Sequence, residues 1–324
     1  MKSTVCLCMI VKNEAPTIER CLRSVLPFID SWVVCDTGST DGTQAKVIEF
    51  FGQLSPKRRK SGALFEHDWV SFDANRNSAL WLAWERADYA LVVDADDVLA
   101  GNIQGNADVK LTSDIGFIEV IHENIRYWRA HYMKKGSGVY HGILHEVFVC
   151  NPHATIDYLA NPKYHYLSGG ARFRDPETFR KDIETLRRAL GADPNGELAT
   201  RYQYYLAKTL AGAGDLEGAI EAFTKRVLMG GPQVEEIWCS LYMQAQCMMT
   251  LDENGTNQSA VIDAFMWAYD FRPERVEPLR DLAKYLECTG RTRMAHLITQ
   301  AANRVPLPER GMFLDVSAYG ELKL

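Results

Sequence analysis

The chain has 324 residues, 47% of them hydrophobic, and a formal net charge of −6. That is enough apolar material for about two packed domains. The acidic balance argues against a dedicated nucleic-acid binder, which carries a basic footprint, and no apolar run reaches the roughly 18 residues of a membrane span. The eight cysteines form no CxxC pair and several lie in apolar runs. They read as reduced thiols of a cytoplasmic protein, not as a disulfide framework or a zinc site. No signal peptide is visible at the N-terminus, which agrees with that location.

In chain order, "TVCLCMIV" (Thr4–Val11) predicts a strand ending at Lys12-Asn13-Glu14. "APTIERCLRSVLPFI" carries apolar residues at Ile18, Leu22, Val25 and Leu26, the spacing of a helix, with Pro16 suited to a first turn. "SWVVCDTGSTDGT" is a strand that breaks into a Gly-rich turn, and "QAKVIEFFGQL" is a helix. The basic run Lys57–Lys60 reads as a solvated loop. "GALFEHDW" is a strand, "DANRNSALWLAWERA" a long helix with Trp81 and Trp84 expected in the core, and the apolar run from Tyr89 a strand ending at Asp94-Ala95-Asp96-Asp97. Repeated strand–helix–strand units predict an α/β domain with a mostly parallel sheet. From Gly116 to Val149 the strand-like runs "GFIEVIHENIRYW" and "GILHEVFV" predict an antiparallel addition to it.

From about Pro176 the residues become helix formers. Three sets of small and large residues keep tetratricopeptide offsets: Leu206, Ala207, Leu210, Gly214, Ala219 and Phe223; then Trp238, Leu241, Ala245, Phe265, Ala268 and Pro273, with "LDENGTNQ" as an inserted loop; then Leu282, Ala283, Gly290, Ala295 and Ala302. The expected division is a catalytic α/β domain over 1–175, an all-α repeat domain over 176–310 and a tail over 311–324 that folds back on the catalytic half.

Ligands of open α/β sheets sit outside the carboxyl ends of the strands. Three consecutive strands here end in polar residues, which points to one shared crevice. Asp94, Asp96 and Asp97 on one turn would repel unless a cation or proton compensates them. Magnesium is held by one or two carboxylates plus substrate phosphates, so the pattern predicts a nucleotide diphosphate. "DTGSTDGT" is neither a GxxxxGK phosphate loop nor GxGxxG, which weakens ATPase and dehydrogenase readings.

Together, "MIVKNE" (Met9–Glu14), "DTGSTDGT" (Asp36–Thr43), "ANRNSAL" (Ala74–Leu80) and "DADD" (Asp94–Asp97) resemble glycosyltransferase family 2, in order and in spacing. With the helical repeats, the resemblance extends over nearly the whole chain. It implies a Rossmann-like GT-A fold and a metal-dependent, inverting transfer from a nucleotide-diphosphate sugar. By that resemblance Asp36 binds the nucleobase, typically uracil, and the backbone at Val11 with Asn13 and Glu14 lines the nucleotide pocket. Arg76 faces the base or diphosphate, Asp94 meets the ribose or metal, Ala95 beside it belongs to the donor-binding set, and Asp96 ligates Mn2+ or Mg2+. Glu146, in "GVYHGILHE", is the expected general base and Asp97 the alternative. His165 is a candidate further metal ligand. Ser168-Gly169-Gly170 with Arg172 and Arg174 is a candidate lid, and Trp128 a candidate acceptor-side aromatic.

The expected partners are a UDP-sugar donor and an acceptor on a protein or peptide, a glycan or a modified nucleic acid, with a homodimer through the repeats as a further role for the helices. Two rival functions remain. A sugar nucleotidyltransferase would carry a Gly-rich, Arg- and Lys-bearing loop after the first strand, where "KNEAPT" stands instead. A non-catalytic repeat adaptor would have a relic first half, against which Arg76, Asp94, Asp96 and Glu146 are retained.

Overall fold

The computed structural model describes residues 3–56, 60–101 and 109–320, so most of the Lys57–Lys60 run lies outside the described residues. The chain divides into two compact units, Met1–Glu123 with Tyr127–Pro176, and Asn124–Arg126 with Glu177–Leu324.

The first unit opens with β1 (Val5–Val11), α1 (Ile18–Val25), β2 (Ser31–Asp36), α2 (Thr43–Gly52), β3 (Ser61–Glu66), α3 (Phe72–Trp84) and β4 (Tyr89–Val92). The strands β3-β2-β1-β4 run parallel. Strand β1 is apolar throughout because both of its faces are covered, as parallel sheets require. Leu7 and Met9 pack with Ile18, Leu22 and Val25 of α1 and Val47 of α2. The alternate residues Cys6 and Cys8 pack with Ala79, Leu80, Ala83 and Trp84 of α3. The buried stripe of α3 stops short of Trp81, which is 55% exposed while Trp84 is 1% exposed. The expectation of two core tryptophans therefore holds for Trp84 alone.

The sheet continues through β5 (Val98–Ala100), β6 (Ile115–His122), β7 (Ile125–Lys134) and β10 (Ile156–His165), in the order β4-β7-β6-β10-β5. Strand β7 is antiparallel to β4, and β10 runs parallel to β6 and antiparallel to β5. The run read as one strand from Gly142 is instead the second half of a hairpin, β8 (Gly138–His141) and β9 (Val147–Cys150). Left-handed backbone at Gly142 (φ 118°) and His145 (φ 55°) turns the chain there, so residues 142–146 form a loop. A short helix, α4 (Ala171–Arg174), closes the unit.

The second unit holds α5 (Thr178–Ala192), α6 (Ala199–Gly212), α7 (Leu216–Met229), α8 (Val234–Leu251), α9 (Gln258–Phe271), α10 (Glu277–Cys288) and α11 (Thr292–Ala302). Each helix packs on the next in sequence, the arrangement of stacked helical repeats. The apolar repeat positions Leu206, Ala207, Leu210, Ala219, Phe223, Trp238, Leu241, Ala245, Phe265, Ala268, Leu282, Ala283, Ala295 and Ala302 are buried. "LDENGTNQ" supplies the α8–α9 turn, pinned by Asp252, which accepts from the Asn257 amide at 2.9 Å. The tail is a member of this unit. Its strand β11 (Leu314–Asp315) pairs with Ile125 and Arg126, and Arg275 donates to the Met312 carbonyl at 3.2 Å. Among the described residues no helix is long and apolar enough to cross a membrane, and all eight cysteines are free.

Candidate active site

The site grows from the carboxyl edge of β1, β2 and β4. Val11 pairs with Asp36 in the ladder, and the Val11 carbonyl accepts from the Thr37 amide at 2.9 Å. Beyond the strands the two loops hold each other. Asn13, at φ 57°, accepts from the Thr40 amide at 2.8 Å and donates its own amide to Ser39 Oγ at 2.8 Å. The Glu14 amide donates to Thr43 Oγ1 at 2.8 Å.

Asp36 is 1% exposed. Its Oδ1 accepts from the amides of Gly38 (2.9 Å) and Ser39 (2.8 Å) and from Gln44 Nε2 (3.0 Å). Gly38 takes φ 97° to make that turn. Oδ2 is buried and has no hydrogen-bond partner among the described residues. A buried carboxylate oxygen left unpaired is costly, so this atom is an acceptor in want of a donor.

The acidic turn after β4 is compensated in an uneven way. Asp94 accepts from Arg76 Nη2 at 2.7 Å through Oδ1 and from Arg129 Nη2 at 3.2 Å through Oδ2. Burial pushes its carboxyl up, yet the two guanidinium charges hold it well below the usual carboxylate range. Ala95 is buried within the turn. Asp97 is fully buried, its Oδ2 accepting from the Tyr164 hydroxyl and its Oδ1 from the Leu167 amide, both at 2.7 Å. Burial and the neighbouring Asp94 charge push it up to about 7. Asp96 is half-buried and makes no ion pair among the described residues. Burial, with Asp94 and Glu14 nearby, pushes it up to about 6. The three carboxylates read in the sequence as one repelling knot thus become two that partner side chains satisfy and one, Asp96, that has only backbone amides beside it among the described residues.

Residues Leu167–Arg174 fold over this turn. The Ala171 amide donates to Glu14 Oε1 at 2.7 Å, and Arg174 donates to the Asn13 carbonyl at 2.9 Å. A Cβ on Gly170 would lie 2.5 Å from Asp96 Oδ2 and 3.3 Å from Glu14 Oε1, so the segment's backbone lies directly against both carboxylates. Arg172 stacks instead over the Phe72 ring, at 5.0 Å.

The "NRN" triplet on α3 divides its work. Asn75 accepts from the Val70 amide at 2.9 Å and fixes the start of the helix. Arg76 joins Asp94 to Glu146, donating to Glu146 through Nε. Asn77 holds the backbone of Tyr140 on β8. Glu146 therefore reaches the site from the β8–β9 loop and shares the Arg76 guanidinium with Asp94.

His165 pairs with Val98 in the ladder, next to the acidic turn, and makes no hydrogen bond or ion pair to its carboxylates among the described residues. Successive strand residues point to opposite faces, and on β10 it is Tyr164 whose hydroxyl reaches Asp97 and Asp94. Among the described residues no group of three or more His, Cys, Asp or Glu side chains is arranged to hold a metal ion. A hard divalent ion that keeps waters and substrate phosphates needs only one or two protein carboxylates, and Asp96 offers one. Trp128 packs edge-on to Tyr158 at 5.1 Å, with Lys163 Nζ 5.5 Å from its ring centre.

Three residues of the site were not singled out by the sequence: Arg129, His131 and Tyr164. His131 is fully buried, with Nδ1 2.7 Å from the Val92 carbonyl and Nε2 3.2 Å from Arg129 Nε. Burial and the Arg129 charge push its pKa well down, so the ring is neutral and donates through Nδ1–H. Polar residues at alternate positions in an otherwise apolar strand were the available signal, since they share one face.

Residues 6–103 match the model of glycosyl transferase family 2. A TPR repeat-containing protein of Synechococcus elongatus is 42% identical over 97 residues, which are 29% of this chain and 21% of that protein. The match thus spans about a fifth of the length of the curated relative. Among solved structures, S. aureus TarS 1–349 aligns over 96% of this chain and 98% of its own at 15% identity and a TM-score of 0.36. MamA aligns over 42% of this chain and 73% of its own at 23% identity and a TM-score of 0.33. Neither score reaches that of a shared overall fold.

Proposed function

We propose that this chain, whose N-terminal third is a glycosyltransferase family 2 domain, transfers a sugar from a nucleotide-diphosphate sugar to a nucleophile on a protein or peptide, a glycan or another polymer. The observation that carries the reading is Asp36 Oδ2: buried, unpartnered, on a carboxylate whose other oxygen is saturated by three donors. A base with an N–H beside its carbonyls, such as uracil, supplies the missing donor, which favours a UDP-sugar. Asn13 and Glu14 line the same edge and hold the nucleotide pocket in shape.

The donor set at the acidic turn fits a divalent ion, Mn2+ or Mg2+, held by Asp96 together with the diphosphate. Such an ion would neutralise the departing diphosphate. Arg76 orients Glu146 towards the reacting centre, and Glu146 takes the acceptor proton as the acceptor oxygen or other nucleophile bonds to the anomeric carbon. The bond from that carbon to the diphosphate oxygen breaks on the opposite side, which inverts the centre. Asp97 is less suited to be the base, because both of its oxygens are engaged in the interior.

The test is donor binding. Calorimetry with UDP and Mn2+ is expected to show binding that Asp36→Asn weakens by about 10- to 100-fold, the worth of one buried hydrogen bond to a charged acceptor. Binding unchanged in Asp36→Asn removes the nucleobase assignment. A nucleotide-sugar panel followed by mass analysis of candidate acceptors then reads the transfer itself.

A further inference from the structure

Arg129 is aimed with unusual care for a strand residue. Its Nε donates to His131 Nε2 at 3.2 Å, and its guanidinium lies over the Tyr164 ring, 4.8 Å from the centroid. The His131 ring stacks on the same tyrosine at 4.1 Å, and its Nδ1–H is anchored on the Val92 carbonyl at 2.7 Å. These contacts fix the imidazole tautomer that can accept from Arg129 and leave Nη2 directed at Asp94 Oδ2, 3.2 Å away. Arg76 occupies Asp94 Oδ1 at 2.7 Å. Both oxygens of the first carboxylate of the turn are thus spoken for by guanidinium groups, while the Asp96 carboxylate, two residues on, has no ion pair among the described residues, the nearby Arg20 guanidinium donating to the Asp96 backbone carbonyl instead.

Resting on the metal-and-diphosphate reading above, we infer that Arg129 is a positioning residue that withholds Asp94 from the metal. The ion then finds a single protein carboxylate, Asp96, and binds firmly only in the company of the donor diphosphate. Divalent-ion affinity follows the number of charged ligands offered, and groups that orient a ligand tune the site as strongly as the ligands do. Two free carboxylates would load the ion before the donor; one leaves the remaining coordination to phosphate and water. His131 and Tyr164 serve the same end by preventing Arg129 from swinging away.

The test is a Mn2+ titration of the full chain by electron paramagnetic resonance, with and without UDP. The wild type is expected to bind Mn2+ weakly alone and at least about tenfold more tightly with UDP. Arg129→Met removes the guanidinium from Asp94 Oδ2 and leaves it only the Tyr164 hydroxyl at 3.4 Å, so Mn2+ affinity without nucleotide is expected to rise about tenfold and the gain from UDP to shrink. Adding Asp94→Asn to Arg129→Met is expected to abolish that rise. The inference is overturned if Arg129→Met binds Mn2+ no more tightly, or if the double variant keeps the gain, since loss of a positive charge alone then explains it. Should Arg129→Met fail to fold by circular dichroism, Asp94→Asn decides by its Mn2+ affinity without nucleotide: a change of less than about threefold from wild type supports the inference, and a larger loss overturns it. A wild type that binds no Mn2+ even with UDP ends the metal reading and the inference together; normal wild-type synergy with an unmoved Arg129→Met ends the inference alone.

Discussion

The side-chain amide of Asn77 grips the backbone of Tyr140, donating to its carbonyl and accepting from its amide, each at 2.8 Å. This pair ties the β8–β9 hairpin to helix α3, and so fixes the distance between Glu146 on the loop and Arg76 one residue before Asn77. Asn77→Ala breaks both bonds and leaves two backbone groups to find water, at a cost of about 1–3 kcal/mol. Transfer is expected to suffer through kcat, because the base is misplaced, while UDP affinity by calorimetry stays near wild type. A UDP affinity that falls as far as kcat would show that the hairpin supports the nucleotide pocket instead.

Gly170 has a steric reason to be glycine. A methyl group there meets Asp96 Oδ2 at 2.5 Å, and the Asp96 carboxylate, the end of a half-buried side chain, must turn aside to admit it. Gly170→Ala is expected to cost less than about 1 kcal/mol of stability, since a half-buried carboxylate can move where a packed core cannot, and to weaken Mn2+–UDP binding by displacing that carboxylate. Thermal melts with and without the ligands measure both; a ligand-induced rise in melting temperature as large in Gly170→Ala as in wild type would refute the close approach.

The acidic turn imposes a pH dependence on the ligand-free chain. Asp97 and Asp96 titrate near 7 and 6 in the folded state, raised from 3.8 first by burial and then by neighbouring negative charge. A raised carboxyl binds its proton more tightly folded than unfolded, so stability falls as pH rises through this range. The contribution is complete below about pH 4 and lost by about pH 7. Asp94, held low by its arginines, acts in the opposite sense and only under strongly acid conditions. The melting temperature is therefore expected to fall by a few degrees between pH 5 and pH 8, and Asp97→Asn, which can still accept from Leu167 and meet Tyr164, is expected to flatten the fall. An Asp97→Asn slope equal to wild type would remove the assignment.

In the helical unit, Arg275 is buried against Glu277 at 2.7 Å and donates to the Met312 carbonyl. Arg275→Ala strands the buried Glu277 carboxylate and releases the strap at Met312–Phe313. Removing one partner of a buried pair costs about 3–5 kcal/mol. Urea unfolding of the full chain reads it, and Arg275→Ala with Glu277→Gln is expected to recover much of the loss. A single variant within about 1 kcal/mol of wild type would show that the pair is not worth its burial.

Much of this was legible in the residues. The apolar periods of β1, α1, β2, α2 and α3 follow from burial on one or both faces, and the repeat offsets of α6–α11 follow from helices that must approach closely at Ala207, Ala245 and Ala295. The gathering of Asp36 and Asp94 at one edge followed from the rule that parallel strands end on the same side, whereas Arg76, on helix α3, was expected there only from the family resemblance. What strand periodicity alone did not yield was handedness within a run. Gly142 and His145 turn what reads as a strand into the loop that carries Glu146, and the alternation of β10 presents Tyr164 rather than His165 to the carboxylates.

The sequence by itself determined which groups carry charge and which elements hold them, because side-chain chemistry and hydrophobic period are local properties. Only the tertiary structure decided how those charges are shared. Arg129, 35 residues from Asp94, and Tyr164, 67 residues from Asp97, neutralise or satisfy two of the three clustered carboxylates. Electrostatic compensation depends on distance in space, and no local pattern records it.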